Sequence, residues 1–285
     1  MTDVAGGAFR RTRGFVHAVA RVLHAADAPS LASSVAYYAL LSSFPLALLG
    51  SSVAASFLDQ ADVQASLGEV LHMYLPQDAA AAIHRTVAEA VRVRRSVGAV
   101  ALLAFLWAGS AATGAVRHAL NRVLGVSVAM PLWQRKLVDL GTTVLFAVLV
   151  AASLSLAVLR AVFAQLAPAL GPRLVGLVPE VEVLGGLGPP LLGFMTLLLA
   201  YRILPARQLP WRPLAVGALT GTLALEVARA VAFRAFEGFA RYQPVYGSLA
   251  GVIVFLVWVY AASLLVLVGA AVATCAAGQP QRSDA

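Results

Sequence analysis

The sequence predicts an all-α membrane protein whose chain crosses the bilayer several times. Hydrophobic residues make up 60% of the 285 positions and charged residues only 12%. Soluble domains have about 25% charged residues, so much of the usual solvating surface is missing. The run 245–277 also contains no charged residue. A helix of about 20 residues already crosses a hydrocarbon core of about 30 Å, so this run is long enough to span a membrane.

Apolar runs of this kind divide the chain into a short leading segment, one transmembrane domain and a tail. We assign residues 1–30 to a cytoplasmic amphipathic segment, residues 31–277 to the transmembrane domain and residues 278–285 to a cytoplasmic tail. The six predicted spans cover residues 31–58, 96–120, 137–163, 183–204, 214–236 and 245–277.

Two polar segments outside the spans also predict helices. In residues 9–26, arginine and histidine recur at spacings of three and four opposite an apolar face, which indicates an amphipathic helix. Such a helix either lies in the interface against anionic lipid or presents a solvated charged face. Residues 59–95 carry most of the acidic residues before the second span, and we expect two short helices there.

The first span contains a proline and a pair of tyrosines. Pro45 removes one backbone donor and predicts a kink, and the hydroxyl of Ser42 can bond a nearby carbonyl. Tyr37 and Tyr38 suit the headgroup level of the membrane.

Topology is predicted from the arginine-rich ends of the spans. Cytoplasmic loops carry an excess of Lys and Arg, and placing both termini inside puts most basic clusters there. The loop 59–95 and the loop 164–190 then face outward and hold most of the acids. Six spans with both termini in the cytoplasm is therefore the predicted arrangement.

The fifth span is the place where charge goes deepest. Glu226, Arg229 and Glu237 share a stripe with Phe233 at 100° per residue. Intramembrane charges normally face the bundle interior or water and have a partner. The stripe is therefore either a polar path for a substrate or an ion pair that locks helices together, and the sequence leaves both open.

Enzymatic chemistry finds little support in the residues. None of the five histidines has a neighbour that completes a metal site or a proton-transfer pair, and Cys275 is the only cysteine. No phosphate-binding loop or nucleophile elbow is present in the sequence. We expect no catalytic residue, metal or cofactor, and no nucleic-acid partner.

Three blocks of sequence resemble one known family. They are SSVAYYALLSSFPLALL at 33–49, ALNRVLGV at 119–126, and PWRPLAVGAL at 210–219 continued by RYQPVYGSLAGVIVFLVWVYAASLLVLVGA at 241–270. The chain resembles the YihY/virulence factor BrkB family of bacterial inner-membrane proteins, once labelled ribonuclease BN. The matching positions that we take as structural are Tyr37, Tyr38, Ser42, Phe44, Pro45, Asn121, Tyr242, Tyr246 and Gly247.

The resemblance implies a multi-pass protein of the bacterial inner membrane with a transport or lipid-handling role in the envelope. A structural scaffold is the alternative, and a membrane enzyme comes third because the residues do not support the ribonuclease label. Membrane lipids are the expected partners, the small-molecule or lipid substrate is unknown, and homo-oligomer formation is left open. The family's last span typically closes with an acid, whereas this chain has Ala271 there, which puts any mechanism relying on that acid in doubt.

Overall fold

A computed structural model describes six stretches of the chain, and all regular structure in them is helical. The described residues are 2–57, 97–126, 131–170, 178–206, 209–239 and 250–278. The predicted short helices of 59–95 lie outside these ranges. The all-α class and the N-terminal helix are confirmed.

Seven helices form in the described residues, one for the leading segment and one for each predicted span. They are α1 Thr2–Ala25, α2 Ala28–Phe57, α3 Val97–Val123, α4 Leu132–Leu170, α5 Val178–Ile203, α6 Trp211–Phe239 and α7 Ala250–Ala276.

Four of these helices are long and apolar enough to cross a membrane. The qualifying segments are Ala28–Leu48, Gly186–Ile203, Trp211–Ala232 and Gly251–Ala276, in α2, α5, α6 and α7. The predicted count of six is compatible with the structure, because α3 and α4 are long helices that pack within the same bundle.

Two helices begin before the spans predicted for them. Helix α4 begins at Leu132, ahead of the span predicted from residue 137. Helix α5 begins at Val178, ahead of the span predicted from residue 183, and contains Pro189 and Pro190, so residues 178–190 of the predicted loop 164–190 are helical. Helix is retained because backbone polar groups in lipid have no water to bond, and one or two lost donors cost less than an open loop.

Helices α2 to α7 pack in a closed ring. Helix α2 packs on α3, α3 on α4, α4 on α5, α5 on α6, α6 on α7, and α7 returns to α2. Helix α7 also touches α3, and α1 packs against α7 at the edge of the ring.

Burial is concentrated at one end of this ring, which we call the packed end. It is where α3, α5 and α7 finish, α4 and α6 begin, and α1 turns into α2. Its buried core includes Val22, Ala26, Ala28, Ala119, Leu120, Val123, Tyr201, Leu204, Leu214, Ala218, Ala270, Ala271 and Ala273.

Away from the packed end, packing is looser. On α6, no residue from Leu223 to Ala232 is buried, and on α7 none from Val252 to Ala262 is buried.

The tightest contact of the packed end is between α6 and α7. A Cβ atom added at Gly217 would lie 2.5 Å from the Gly269 carbonyl oxygen and 2.7 Å from the Ala273 Cβ atom. The hydroxyl of Tyr201 in α5 donates to the Val266 carbonyl, 2.5 Å away, and lies against Gly221 and Gly269. Only glycine permits backbones this close, so the GxxxG pair Gly217–Gly221 acts as a packing seam.

We predict that Gly217→Ala destabilises the protein by about 1–3 kcal/mol, because the added methyl group meets backbone rather than a flexible side chain. Thermal unfolding in detergent is the measurement. Gly141→Ala in α4 is the matched control, because an added Cβ there meets nothing within 4 Å. Equal unfolding temperatures for the two variants would contradict the close approach of α6 and α7.

Candidate functional site

The charged stripe predicted on the fifth span contains an ion pair in the structure. Arg229 Nη2 and Glu226 Oε2 are 2.7 Å apart, one turn from each other on α6. The two side chains keep 35% and 31% of their surface exposed. The backbone of Glu237 belongs to α6, but its side chain lies outside what the structure describes.

The pair lies on the flank of α6, between its packed and its exposed faces. Gly217, Gly221 and Thr222 face neighbouring helices, whereas Leu223 and Val227 are 58% and 64% exposed. At 100° per residue, Arg229 continues the packed face and Glu226 lies toward its edge. Both residues lie beyond Thr222, the last buried residue between Trp211 and Ala232, where packing is loose. The pair is thus accessible rather than enclosed by the described helices.

A second ion pair joins α3 to α4, and the sequence reasoning missed it. Arg117 Nε donates to Asp139 Oδ1 at 2.7 Å, and Arg117 Nη2 donates to Asp139 Oδ2 at 3.0 Å. The exposed fractions of the two side chains are 15% and 8%. A two-pronged arginine–carboxylate contact is strong and fixes geometry, so this pair ties the two helices together.

Further polar contacts extend this α3–α4 contact into a seam. Thr113 and Thr143 share a hydroxyl hydrogen bond of 2.8 Å, and Thr143 also donates to the Asp139 carbonyl at 2.7 Å. Lys136 Nζ donates to Ser110 Oγ at 2.7 Å. The Thr113–Thr143 and Lys136–Ser110 bonds are interhelical hydrogen bonds of the kind that polar side chains make within a membrane domain.

Arg117 and Asp139 are far apart in sequence and lie on different helices, so the spacing of residues along one helix could not pair them. Neither Arg117 nor Asp139 was singled out from the sequence. The available signal was that Asp139 is the one acid in the predicted span 137–163, opposite a basic residue of the preceding span. An isolated intramembrane acid requires a partner.

The described family-motif positions have mainly local roles. Asn121 Oδ1 accepts the Ala206 N–H at 3.0 Å, which fastens the end of α3 to the turn after α5. The rings of Tyr37 and Tyr38 meet edge to face with centroids 5.3 Å apart. Ser42 donates to the Ala39 carbonyl at 3.0 Å.

The remaining motif positions add less. Phe44 is 50% exposed, and Pro45 lies within α2, where the kink stays a prediction. Tyr242, Tyr246 and Gly247 lie outside the described residues.

The position of the missing acid is wholly buried. Ala271 is 0% exposed in the core of the packed end, beside Ala270 at 1%. Within the described ranges, no group of three His, Cys, Asp or Glu side chains comes close enough to hold a metal ion.

Long apolar helices that pack in a ring and carry ion pairs define a polytopic membrane protein. Comparison with known proteins gives its family. A profile described as Virulence factor BrkB matches residues 19–285. The chain therefore belongs to the Virulence factor BrkB family, as its motifs suggested.

Curated relatives carry the name UPF0761 membrane protein. The protein from Alteromonas mediterranea is 27% identical over 255 residues, which cover 87% of this chain and 82% of the relative. The protein from Rhodospirillum rubrum is 29% identical over 91% of this chain and 58% of its own length. The protein from Nitrosospira multiformis is 27% identical over 91% of this chain and 60% of its own length. The alignments thus leave a large part of the last two relatives unmatched.

No protein of known structure matches the chain. Membership in a family of membrane proteins agrees with the apolar helices, so the chain is a membrane protein.

We predict that Arg117→Ala lowers the free energy of unfolding by about 3–5 kcal/mol, because it leaves the Asp139 carboxylate buried without its partner. The double variant Arg117→Leu/Asp139→Leu should be more stable than Arg117→Ala, since no unpaired charge remains. Unfolding in detergent measures both. Arg229→Ala is the control, because a pair so exposed contributes about 1 kcal/mol or less. Equal losses in Arg117→Ala and Arg229→Ala would contradict this assignment.

Proposed function

We propose that this protein is a multi-pass protein of the bacterial inner membrane that moves a lipid or a small molecule, with Glu226 and Arg229 in the path. The single observation that supports this is that the pair is formed within α6 and remains about one third exposed. Charged groups inside a membrane domain are expensive, and they commonly mark substrate or ion pathways.

Comparison of the two ion pairs separates this proposal from the scaffold alternative. A pair that only held helices together would cross from one helix to another and would be enclosed, as Arg117 and Asp139 are. Among the described residues, no hydrogen bond or ion pair from another helix reaches Glu226 or Arg229. The pair therefore adds no polar link between the described helices, and this supports recognition as its role.

The proposed orientation puts the packed end of the ring in the cytoplasm. Arg122, Arg135, Arg202 and Arg212 lie at or near helix ends on that side. Basic residues at span ends favour the cytoplasmic side, which supports our proposal of six spans with both termini inside. Catalysis, a cofactor and a nucleic-acid partner are not part of the proposal, and membrane lipids are the proposed partners.

We predict that Glu226→Gln and Arg229→Gln each lower transport in reconstituted vesicles by about tenfold, which corresponds to about 1.4 kcal/mol of lost stabilisation. Transfer of acyl-labelled fluorescent phospholipids between leaflets and release of an entrapped fluorescent solute are the two readouts. Arg212→Gln, at the start of the same helix, is the matched control and should transport normally.

Thermal unfolding of the same variants distinguishes a scaffold role from a transport role. A wild-type protein that moves neither probe, together with a lowered unfolding temperature in Glu226→Gln, would favour a structural role and contradict transport.

We also predict that a tag fused after Ala285 is reached by an impermeant reagent only after the cells are opened. The expectation follows from the basic residues near the packed end, where α7 ends. Labelling of the tag on intact spheroplasts would overturn the proposed orientation while leaving the helical ring unaffected.

A further inference from the structure

Helix α5 contains two consecutive prolines next to glycines. Pro189 and Pro190 have no N–H group, so the carbonyls of Gly185 and Gly186 have no donor four residues further along the helix. In lipid, such carbonyls require another partner. The break therefore offers two hydrogen-bond acceptors at the start of the apolar segment Gly186–Ile203.

The surroundings of this break are open. An added Cβ at Gly186 would meet nothing within 4 Å, and the Leu187 side chain is 62% exposed. At 100° per residue, Gly186 lies on the same face of α5 as Gly193, which contacts α6, so the break faces toward α6 and the described residues leave the space beside it open to a ligand.

Helix α6 brings its charged pair to the same depth. A Cβ at Gly193 of α5 would lie 3.8 Å from Thr222 Cγ2 of α6, and the two helices are joined by a short turn and run in opposite directions. Because the helices are antiparallel, moving four residues up α6 from Thr222 and four residues down α5 from Gly193 places Glu226 level with Pro189. Moving three residues further along each helix places Arg229 level with Gly186.

The hydrogen-bonding capacity of these groups is complementary to a zwitterion. Arg229 has five N–H donors in a fixed fork, and Glu226 is its one partner among the described residues. The fork fits a phosphate or carboxylate. The two freed carbonyls and the second oxygen of Glu226 give three acceptors, which equals the number of N–H donors of a primary ammonium group.

We propose that this junction of α5 and α6 binds a zwitterion that carries a primary ammonium group close to a phosphate or carboxylate. This inference rests on the proposed function, because it names the class of substrate that the path would take. Two sources share this chemistry, the headgroup of an ethanolamine phospholipid and a free zwitterionic solute.

The depth of the junction suits both sources. At 1.5 Å per residue, Glu226 lies about 22 Å and Arg229 about 27 Å along α6 from Trp211, which approaches the full hydrocarbon thickness of about 30 Å. The junction therefore lies within the membrane-spanning segment Trp211–Ala232, in its half opposite the packed end. A lipid headgroup or a solute reaches that level without crossing the bilayer core.

Binding to purified full-length protein tests the inference. Native mass spectrometry in detergent would compare phosphatidylethanolamine, phosphatidylcholine and phosphatidylglycerol with matched acyl chains. Phosphatidylcholine has no N–H donor and phosphatidylglycerol has no ammonium, so we expect about tenfold tighter binding of phosphatidylethanolamine, or about 1.4 kcal/mol. Soluble phosphoethanolamine is added as a competitor: displacement of the lipid at millimolar concentration indicates recognition of the zwitterion alone, and no displacement indicates the lipid headgroup.

Variants connect this preference to the break. Pro189→Ala/Pro190→Ala restores both N–H donors and should abolish the preference for phosphatidylethanolamine over phosphatidylcholine. Pro213→Ala is the matched control, since this proline lies in the first turn of α6, where the N–H has no partner within the helix, and the preference should remain.

Two results would overturn the inference: equal binding of the ethanolamine and choline lipids by the wild type, or a preference that survives in the double proline variant. If the double variant does not fold, the wild-type comparison decides. Binding and transport are measured in separate experiments. If the protein does not prefer phosphatidylethanolamine, the inference fails and the proposed transport is unaffected. If the protein binds selectively but transports nothing, only the proposed transport is refuted.

Discussion

The close crossing of α6 and α7 is the contact on which the rest of the ring depends. Between helices in lipid, association relies on close van der Waals packing and hydrogen bonds, because lipid tails are as apolar as the side chains. Gly217 and Gly269 bring the two backbones together, and the Tyr201 hydroxyl bonds to the Val266 carbonyl beside them. Tyr201 is 1% exposed, so the bond satisfies a buried hydroxyl while it anchors α5 to α7. Three consecutive spans are thereby held at one end, whereas Leu223–Ala232 of α6 and Val252–Ala262 of α7 contain no buried residue.

This one-sided packing gives the two ion pairs different physical roles. Arg117 and Asp139 are buried near the packed end, where the loss of either charge's partner is costly. Glu226 and Arg229 lie in the stretch Leu223–Ala232 of α6, which contains no buried residue, and water, lipid or a ligand can compete for them there. The two ion pairs have the same charges, and they differ in burial and in whether they join two helices. These two properties distinguish the pair that stabilises the structure from the pair that is accessible.

Sequence reasoning predicted the helices well where the signal was length and apolarity, and less well where two helices had to be compared. The run 245–277 predicted α7. Residues 178–190 were included in the loop 164–190 because Pro189 and its neighbouring glycines resemble a loop, and only the demand for satisfied backbone groups in lipid favours helix there. On the site, Glu226 and Arg229 were found because a single-helix period joins them. The pairing of Arg117 with Asp139 was not predicted because it depends on how α3 faces α4.

The position of Ala271 shows how packing constrains the chemistry available to this chain. Ala271 is fully enclosed among small residues at the packed end, so an acid there would need a buried partner and additional space. The alanines at 270, 271 and 273 instead allow α7 to approach its neighbours, which gives tight packing in place of a charge. Accessible polarity is then left to the loosely packed part of the ring, where α6 carries its ion pair and α5 loses two backbone donors. A mechanism for this chain is therefore better sought at the junction of α5 and α6 than at the end of α7.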